Sequence, residues 1–480
     1  MRLRVLWLPA LLVWACSSTA RNHGSSTGGA AGTAGAGGQA GSAGSAGSDA
    51  GPDAGSGSPT LTELHVIPGG AGHHVTDVAI SPTNAHVFVV GYGSVAPGYE
   101  SFVAEVAPGQ AEELPRRHFP SSGEAYAEGV VVGGTGSLFL SGFFVKDVKI
   151  GDASFTEAAG WGGVVARLIP GPAGDQVDGL SIIGNGNQSF WGNARFGSGS
   201  VSVGIVVSGT QLHAQTVNAD AAGDALVSLE WSGPGKHAVF AGSGAQRFFD
   251  VATDSVPKIY AAGESAGFGD PLLVLGSGAA LQLATVVAYD SNLDLEWARA
   301  IGSAGDDAFF DVATNPTGNQ VVAVGVAKGQ VDVGKGSPLP NEGGEDVLIA
   351  QLDGKGELKW ARTFGGGADD RAYAVAVDST GDVWVGGSMK SVSIDFGTGP
   401  LTKQGLEDGF IVRLDSSGMV RFATLFGGSG ADSISALGAT AGRVVAVGKF
   451  EKKFDFLSTE IAPVSTNPGV FDFAVLDLTP

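Results

Sequence analysis

Apolar residues recur along the chain in short runs that alternate with polar or glycine positions. One stretch holds four such runs in order: YAVAVD (Tyr373–Asp378), DVWVGG (Asp382–Gly387), GFIVRLD (Gly409–Asp415) and VRFATLF (Val420–Phe426). Alternation over a few residues, bounded by Gly, Asp and Ser, predicts β-strands. The first run is small and apolar on both faces, as an inner strand packed between neighbouring sheets should be.

The same four-run block repeats. GELKWARTFGGGADDRAYAVAVDSTGDVWVGG from Gly356 matches LDLEWARAIGSAGDDAFFDVATNPTGNQVVAVG from Leu293 and GMVRFATLFGGSGADSISALGATAGRVVAVG from Gly418. A glycine closes the second strand of each copy at Gly91, Gly142, Gly204, Gly263, Gly325, Gly387 and Gly448, at intervals of 51 to 62 residues. Repeats of this size, built from short strands and glycine turns, predict a radial array of β-sheets. We label the strands a, b, c and d from the centre outward. A long segment between b and c makes the period longer than that of a compact propeller blade.

The two ends of the array complement each other. The chain stops at VFDFAVLDLTP, a strand c with no strand d after it, while LTELHVIPGG from Leu61 precedes the first strand a. If the N-terminal strand completes the last blade, no sheet edge stays open. The predicted fold is therefore all-β: a seven-bladed β-propeller of four-stranded blades, closed by an N-terminal strand.

The first residues read differently. Arg2 and Arg4 precede the apolar run VLWLPALLVWA and then Cys16. The run is too short to span a bilayer and predicts a signal segment, residues 1–15. LVWAC resembles the bacterial lipoprotein box, which implies a lipid on the Cys16 thiol. Ser17 after it resembles lipoproteins sent to an outer membrane. Residues 16–58, rich in Gly, Ser and Ala, predict a flexible tether with a reach of about 35–40 Å. The propeller then occupies residues 59–480, outside the cytoplasm and anchored to the envelope.

Composition narrows the partners. Acidic residues outnumber basic ones 48 to 27, for a net charge of -21, which disfavours nucleic acid. Cys16 is the only cysteine, so the fold has no disulfides to rely on. The chain is expected to be monomeric.

The repeats resemble the bacterial seven-bladed β-propeller (SBBP) repeat proteins frequent among myxobacterial lipoproteins. The resemblance is carried by the WAR-x-FGG stretches at Trp297, Trp360 and Phe422, by SIDFG at Ser393–Gly397 and by EDGFIVRLDSSG at Glu407–Gly418. It is strong over residues 296–480 and degenerate over 61–295. It implies an extracytoplasmic propeller and no established chemistry.

Three motifs resemble catalytic or ligand loops. GESAG at Gly263–Gly267 spells a nucleophile elbow, but two glycines and Pro271 deny the helix that must follow Ser265, and no histidine lies downstream. GQVDVGKG at Gly329–Gly336 lacks the Ser or Thr that would hold Mg²⁺. DSNLDLEW from Asp290 has Leu295 where a calcium loop needs glycine. All three fall on strand ends or turns of the repeat.

The loop from strand d to strand a offers the better candidates. It carries Asp306 and Asp307, Asp369 and Asp370, and Asp432 in the last three copies, Glu124 in the second, and His73, His74 and Arg247 in the first and fourth. Two readings of the aspartates stand: ligands for Ca²⁺ or a cationic ligand, or turn residues that accept backbone N–H groups. Asp346, Asp408 and Asp472 recur at strand c and read as turn anchors. His73 and His74 are adjacent on a strand and point to opposite faces, so they do not chelate one ion together. Two functional classes follow: a tethered module that binds or scaffolds a protein, glycan or envelope component, or an extracytoplasmic hydrolase or lyase using rim carboxylates. Exposed aromatic side chains on one face favour the first.

Overall fold

The computed structural model describes residues 58–480 apart from 71, 96–97, 111–113, 152, 170–175, 184–188, 208–209, 213–214, 218, 220–222, 231–234, 242–243, 267–271, 276–281, 335 and 465–469. Cys16, the signal segment and nearly all of the tether lie outside these residues.

Seven antiparallel sheets each run a-b-c-d. Strands a to d of blade 1 are His74–Ile80, Val87–Val95, Gly98–Val106 and Leu114–Ser121; those of blade 2 are Ala125–Val132, Leu138–Ile150, Ala153–Ile169 and Gln176–Ile183. Blade 3 has Ser189–Phe196, Gly199–Val206, Asp224–Glu230 and Lys236–Phe240. Blade 4 has Gln246–Thr253, Ile259–Ser265, Leu283–Tyr289 and Leu295–Ile301, with Leu272–Leu275 added in parallel at its outer edge. Blade 5 has Ala308–Thr314, Val321–Ala327, Asp346–Leu352 and Leu358–Phe364; blade 6 has Asp370–Val377, Val383–Met389, Asp408–Leu414 and Val420–Phe426. Blade 7 takes Ser433–Thr440, Arg443–Phe450 and Asp472–Thr479 from the C-terminus, and Thr60–Ile67 is its strand d. The register runs from Thr60 opposite Thr479 to Ile67 opposite Phe473, as expected for a ring closed by its first strand.

The apolar core is a set of layers between blades. Val75, Val89 and Phe102 of blade 1 pack on Ala436, Val447 and Phe473 of blade 7. Each of the other adjacent pairs encloses a similar cluster. Two-sided burial explains why strands b and c read as near-continuous apolar runs such as VVAVGVA and DVLIAQL. Between blades, Trp297 of one strand d lies over Gly356 in the next blade's c–d turn and donates its indole N–H to the Gly354 carbonyl at 3.2 Å. Trp360 repeats the contact on Gly418 and Ser416. Gly356 has φ +78°, which few side chains tolerate, and a Cβ there would come within 2.7 Å of the indole.

A β-bulge interrupts every strand a. In blade 5 the register passes from Phe309 opposite Gly325 to Asp311 opposite Val324, leaving Phe310 unpaired. The same shift occurs in the other six blades. The bulge explains the recurring strand-b glycine: a Cβ on Gly325 would lie 2.0 Å from the Ala308 carbonyl oxygen. The long b–c segments fold as small hairpins, Ser393–Asp395 with Pro400–Thr402 in blade 6 and Phe454–Phe456 with Thr459–Ile461 in blade 7. Ile394 and Phe396 of the first are buried in the layer between blades 5 and 6.

Candidate functional site

The d–a and b–c connections of every blade emerge at one end of the ring, where strand a starts and strand b ends. All the rim residues singled out in the sequence lie on this loop face or just beneath it. Asp307, Asp370 and Asp432 are buried and bind the two connections together. Asp370 accepts N–H groups of Gly366 at 2.9 Å and of Lys390 and Ser391 at 3.0 Å, and the Ser391 hydroxyl at 2.6 Å. Asp307 accepts from Ser303 N at 2.5 Å, Ser303 Oγ at 2.8 Å and Lys328 N at 2.8 Å. Asp432 accepts from Gly428 N at 2.9 Å and Glu451 N at 3.1 Å, and burial lifts its carboxyl to about 7. Burial also raises Asp307 and Asp370.

The outer members of the acidic pairs stay apart from this cage. Asp306 is exposed. Asp369 accepts from Glu345 N at 3.2 Å and lies 3.6 Å from the Arg371 guanidinium. Among the described residues, no three His, Cys, Asp or Glu side chains converge so as to hold a metal ion. Asp346, Asp408 and Asp472 accept N–H groups of Glu342, Gln404 with Gly405, and Gly69 with Val464, so they anchor turns.

The remaining candidates divide by sector. Arg247 pairs with Glu264 of the neighbouring strand b at 2.5 Å. Glu124 accepts the Tyr126 hydroxyl at 3.0 Å. His73 packs on Phe102 and His74 on Tyr92, separate partners as strand alternation requires. Burial lowers both imidazoles, His74 to about 4. Ser265 is fully buried at the end of strand b with its hydroxyl on Thr285 Oγ1, so the elbow-like motif is a strand end. Asp290 accepts the N–H groups of Asn292 and Asp294 in a c–d turn, and Val331 bridges Leu339 in the b–c segment of blade 5.

Two features were not singled out in the sequence. The first is an aromatic cluster over blades 1 and 2. Tyr92 and Tyr126 meet edge to face at 4.5 Å, Tyr126 stacks on Phe143 at 4.7 Å, and Phe143 meets Trp161 at 5.0 Å. His74 lies 5.2 Å from Tyr92, and Tyr99 lies 6.0 Å from Tyr126. Tyr92, Tyr126 and Phe143 are buried, while His74, Tyr99 and Trp161 are half-buried.

The second is the inner wall formed by the seven strands a, which touch one another around the ring. Bulged Trp191, Phe249, Phe310 and Tyr373 form an aromatic arc across blades 3 to 6, with centroids 5.2, 5.8 and 6.3 Å apart. Asp77 and Asp311 each accept a backbone N–H from the next blade, from Val130 at 2.8 Å and Val375 at 2.6 Å. Burial raises Asp77 to about 7 and the bulged Glu128 to about 8. A signal for this wall was present in the sequence, since Asp77, Asp250 and Asp311 all stand in an Asp-Val-Ala triplet at one place in the repeat.

This architecture defines the chain as a seven-bladed β-propeller. It matches no protein-family model and no curated protein. Among solved structures it is similar to Sqt1 from Chaetomium thermophilum, at 12% identity and TM-score 0.44, over 81% of this chain and 96% of that one. It is also similar to an endosialidase of phage phi92, at 8% identity and TM-score 0.41 over 88% and 69%, and to the gluconolactonase XC5397 from Xanthomonas campestris, at 10% and 0.34 over 87% and 90%. At such identities and scores these likenesses carry no inference about ligand or chemistry.

Proposed function

We propose that this chain is an envelope-tethered β-propeller that binds or scaffolds a protein, glycan or other envelope component through its loop face. The aromatic cluster of blades 1 and 2 is the observation that carries this reading, because ligand faces combine aromatic side chains with a few placed polar groups. The lipoprotein-like box at Cys16, the Gly/Ser/Ala-rich tether and the resemblance of the repeats to SBBP lipoproteins support the anchored location. The enzymatic alternative has less to draw on, since Asp307, Asp370 and Asp432 spend their oxygens on backbone and hydroxyl donors.

The test uses the full chain. Cys16→Ser is expected to move the protein from the membrane fraction to the soluble one, and retention in the membrane sinks the anchor. The soluble variant is then co-sedimented with isolated outer-membrane envelopes. Loop-face substitutions Tyr99→Ala, Asp369→Ala and Val392→Ser should together weaken adherence. Val256→Ser and Met419→Ser, in turns at the opposite end of the blades, should not. Adherence that follows the opposite end, or no adherence at all, overturns the reading.

A further inference from the structure

The fold itself does not require aromatic rings at the loop end of blades 1 and 2. One strand-a to strand-b pair occupies the same place in every blade. It is His74–Tyr92 in blade 1 and Tyr126–Phe143 in blade 2. The same place holds Ser189–Ile205, Arg247–Glu264, Ala308–Val326, Arg371–Ser388 and Ser433–Lys449 in blades 3 to 7. Five blades fold with aliphatic, hydroxyl or charged pairs there, so the rings of blades 1 and 2 answer a local demand. They also stand apart from the interblade core clusters, none of which includes Tyr92, Tyr126, Phe143 or Trp161.

The cluster has the layout of a platform. Buried Tyr92, Tyr126 and Phe143 brace Tyr99 and Trp161, which are half-buried. One carboxylate stands beside the rings. Glu124 Oε2 accepts the Tyr126 hydroxyl at 3.0 Å. It has lone pairs left for further donors.

We propose that this cluster is a glycan subsite, in which a neutral sugar ring lies against Tyr99 and Trp161 and its hydroxyls donate to Glu124. A pyranose presents an apolar C–H face and hydroxyl donors at its edge, and the platform offers an aromatic face with a carboxylate acceptor beside it. A net charge of -21 and the Glu124 carboxylate disfavour an anionic polysaccharide. A protein partner would seek a broader exposed apolar area. Among the described residues, the large exposed hydrophobic side chains, Ile169, Val256, Val392, Leu406, Met419 and Val464, are scattered and lie outside blade 1 and the cluster. The inference rests on the loop-face reading and names its ligand class.

The experiment is calorimetric titration of the full-length Cys16→Ser chain with cellohexaose, chitohexaose, mannohexaose and maltohexaose. At least one should bind with a Kd between about 10 µM and 1 mM. Trp161→Ala and Tyr99→Ala should each weaken that binding about tenfold or more, while Trp161→Phe, which keeps a ring, retains most of it. Met419→Ser, in a turn at the opposite end of the blades, should leave it unchanged, and melting curves confirm that each variant is folded. Absence of binding by all four at about 10 mM overturns the inference, as does binding indifferent to Trp161 and Tyr99. If the sugars fail while the chain still adheres to envelopes through its loop face, the glycan assignment falls and the loop-face reading stands. Capture of a protein that depends on Trp161, with no sugar bound, overturns it in favour of a protein partner.

Discussion

Asp250 and Asp311, on the inner strands of adjacent blades, stand close enough that the charge of Asp311 raises the Asp250 carboxyl. Each also accepts a backbone N–H from the next blade, Asp250 from Val312 at 3.2 Å and Asp311 from Val375 at 2.6 Å. Burial, together with the charge of Asp311 and then of Asp77, pushes Asp250 well above the usual carboxylate range. Asp77, on the inner strand of blade 1, also feels the charge of Asp311.

This wall predicts a stability that falls with rising pH. A carboxyl raised in the folded state holds its proton when the unfolded chain has lost it, so stability declines from about pH 4 up to the folded value. That value is about 7 for Asp77 and Asp432 and about 8 for Glu128. The lowered imidazoles of His73 and His74 act in the opposite sense, and only below about pH 6.5. The melting temperature should therefore drop between pH 6.5 and 8. Asp77→Asn keeps an acceptor for Val130 N–H without the charge, and should gain about 1–3 kcal/mol at pH 8 after allowance for solvent screening. A flat melting profile over that interval, or a less stable Asp77→Asn at pH 8, contradicts the account.

Asp370 supplies the second prediction. Its two oxygens hold three backbone N–H groups and a hydroxyl from two separate loops. Asp370→Ala should cost about 3 kcal/mol in urea unfolding, because several donors are left buried without an acceptor. With those oxygens engaged, millimolar Ca²⁺ should leave the wild-type melting temperature unchanged. A calcium-dependent rise of several degrees would instead show a folded site that binds the ion.

Closure of the ring supplies the third. Thr60–Ile67 covers the outer edge of blade 7, and its Leu61, Leu64 and Val66 pack on the layer between blades 6 and 7. Deleting these residues exposes a strand edge and an apolar layer together. The expected result is a lowered, broadened melt and a tendency to aggregate, whereas deletion of residues 20–55 should leave the melt intact. Equal melting curves for the two deletions would reject closure by this strand.

The blade count, the strand order and the closing strand were all legible because each copy checks the others. A strand misread in blade 2 is corrected by its counterpart in blade 6. The turn role of Asp408 was legible for the same reason. The two readings of Asp307, Asp370 and Asp432 could not be separated beforehand, since an aspartate that accepts N–H groups and one that awaits a cation share the same glycine-rich setting. Only the positions of Lys328, Ser391 and Glu451, brought in from the b–c segment, show where those oxygens point.

The sequence by itself determined the period, the class of fold and the glycine on strand b, because these follow from local alternation and from repetition along the chain. It carried the Asp-Val-Ala triplet as well, but not its consequence. Whether Asp250 stands near Asp311, and whether Tyr126 meets Tyr92, depends on which strands the ring sets side by side. Those partners are 61 and 34 residues apart in the chain. Tertiary structure decided them because contact between blades is fixed by the bulges and interblade packing, and no local pattern records which way a side chain leans once its neighbours close around it.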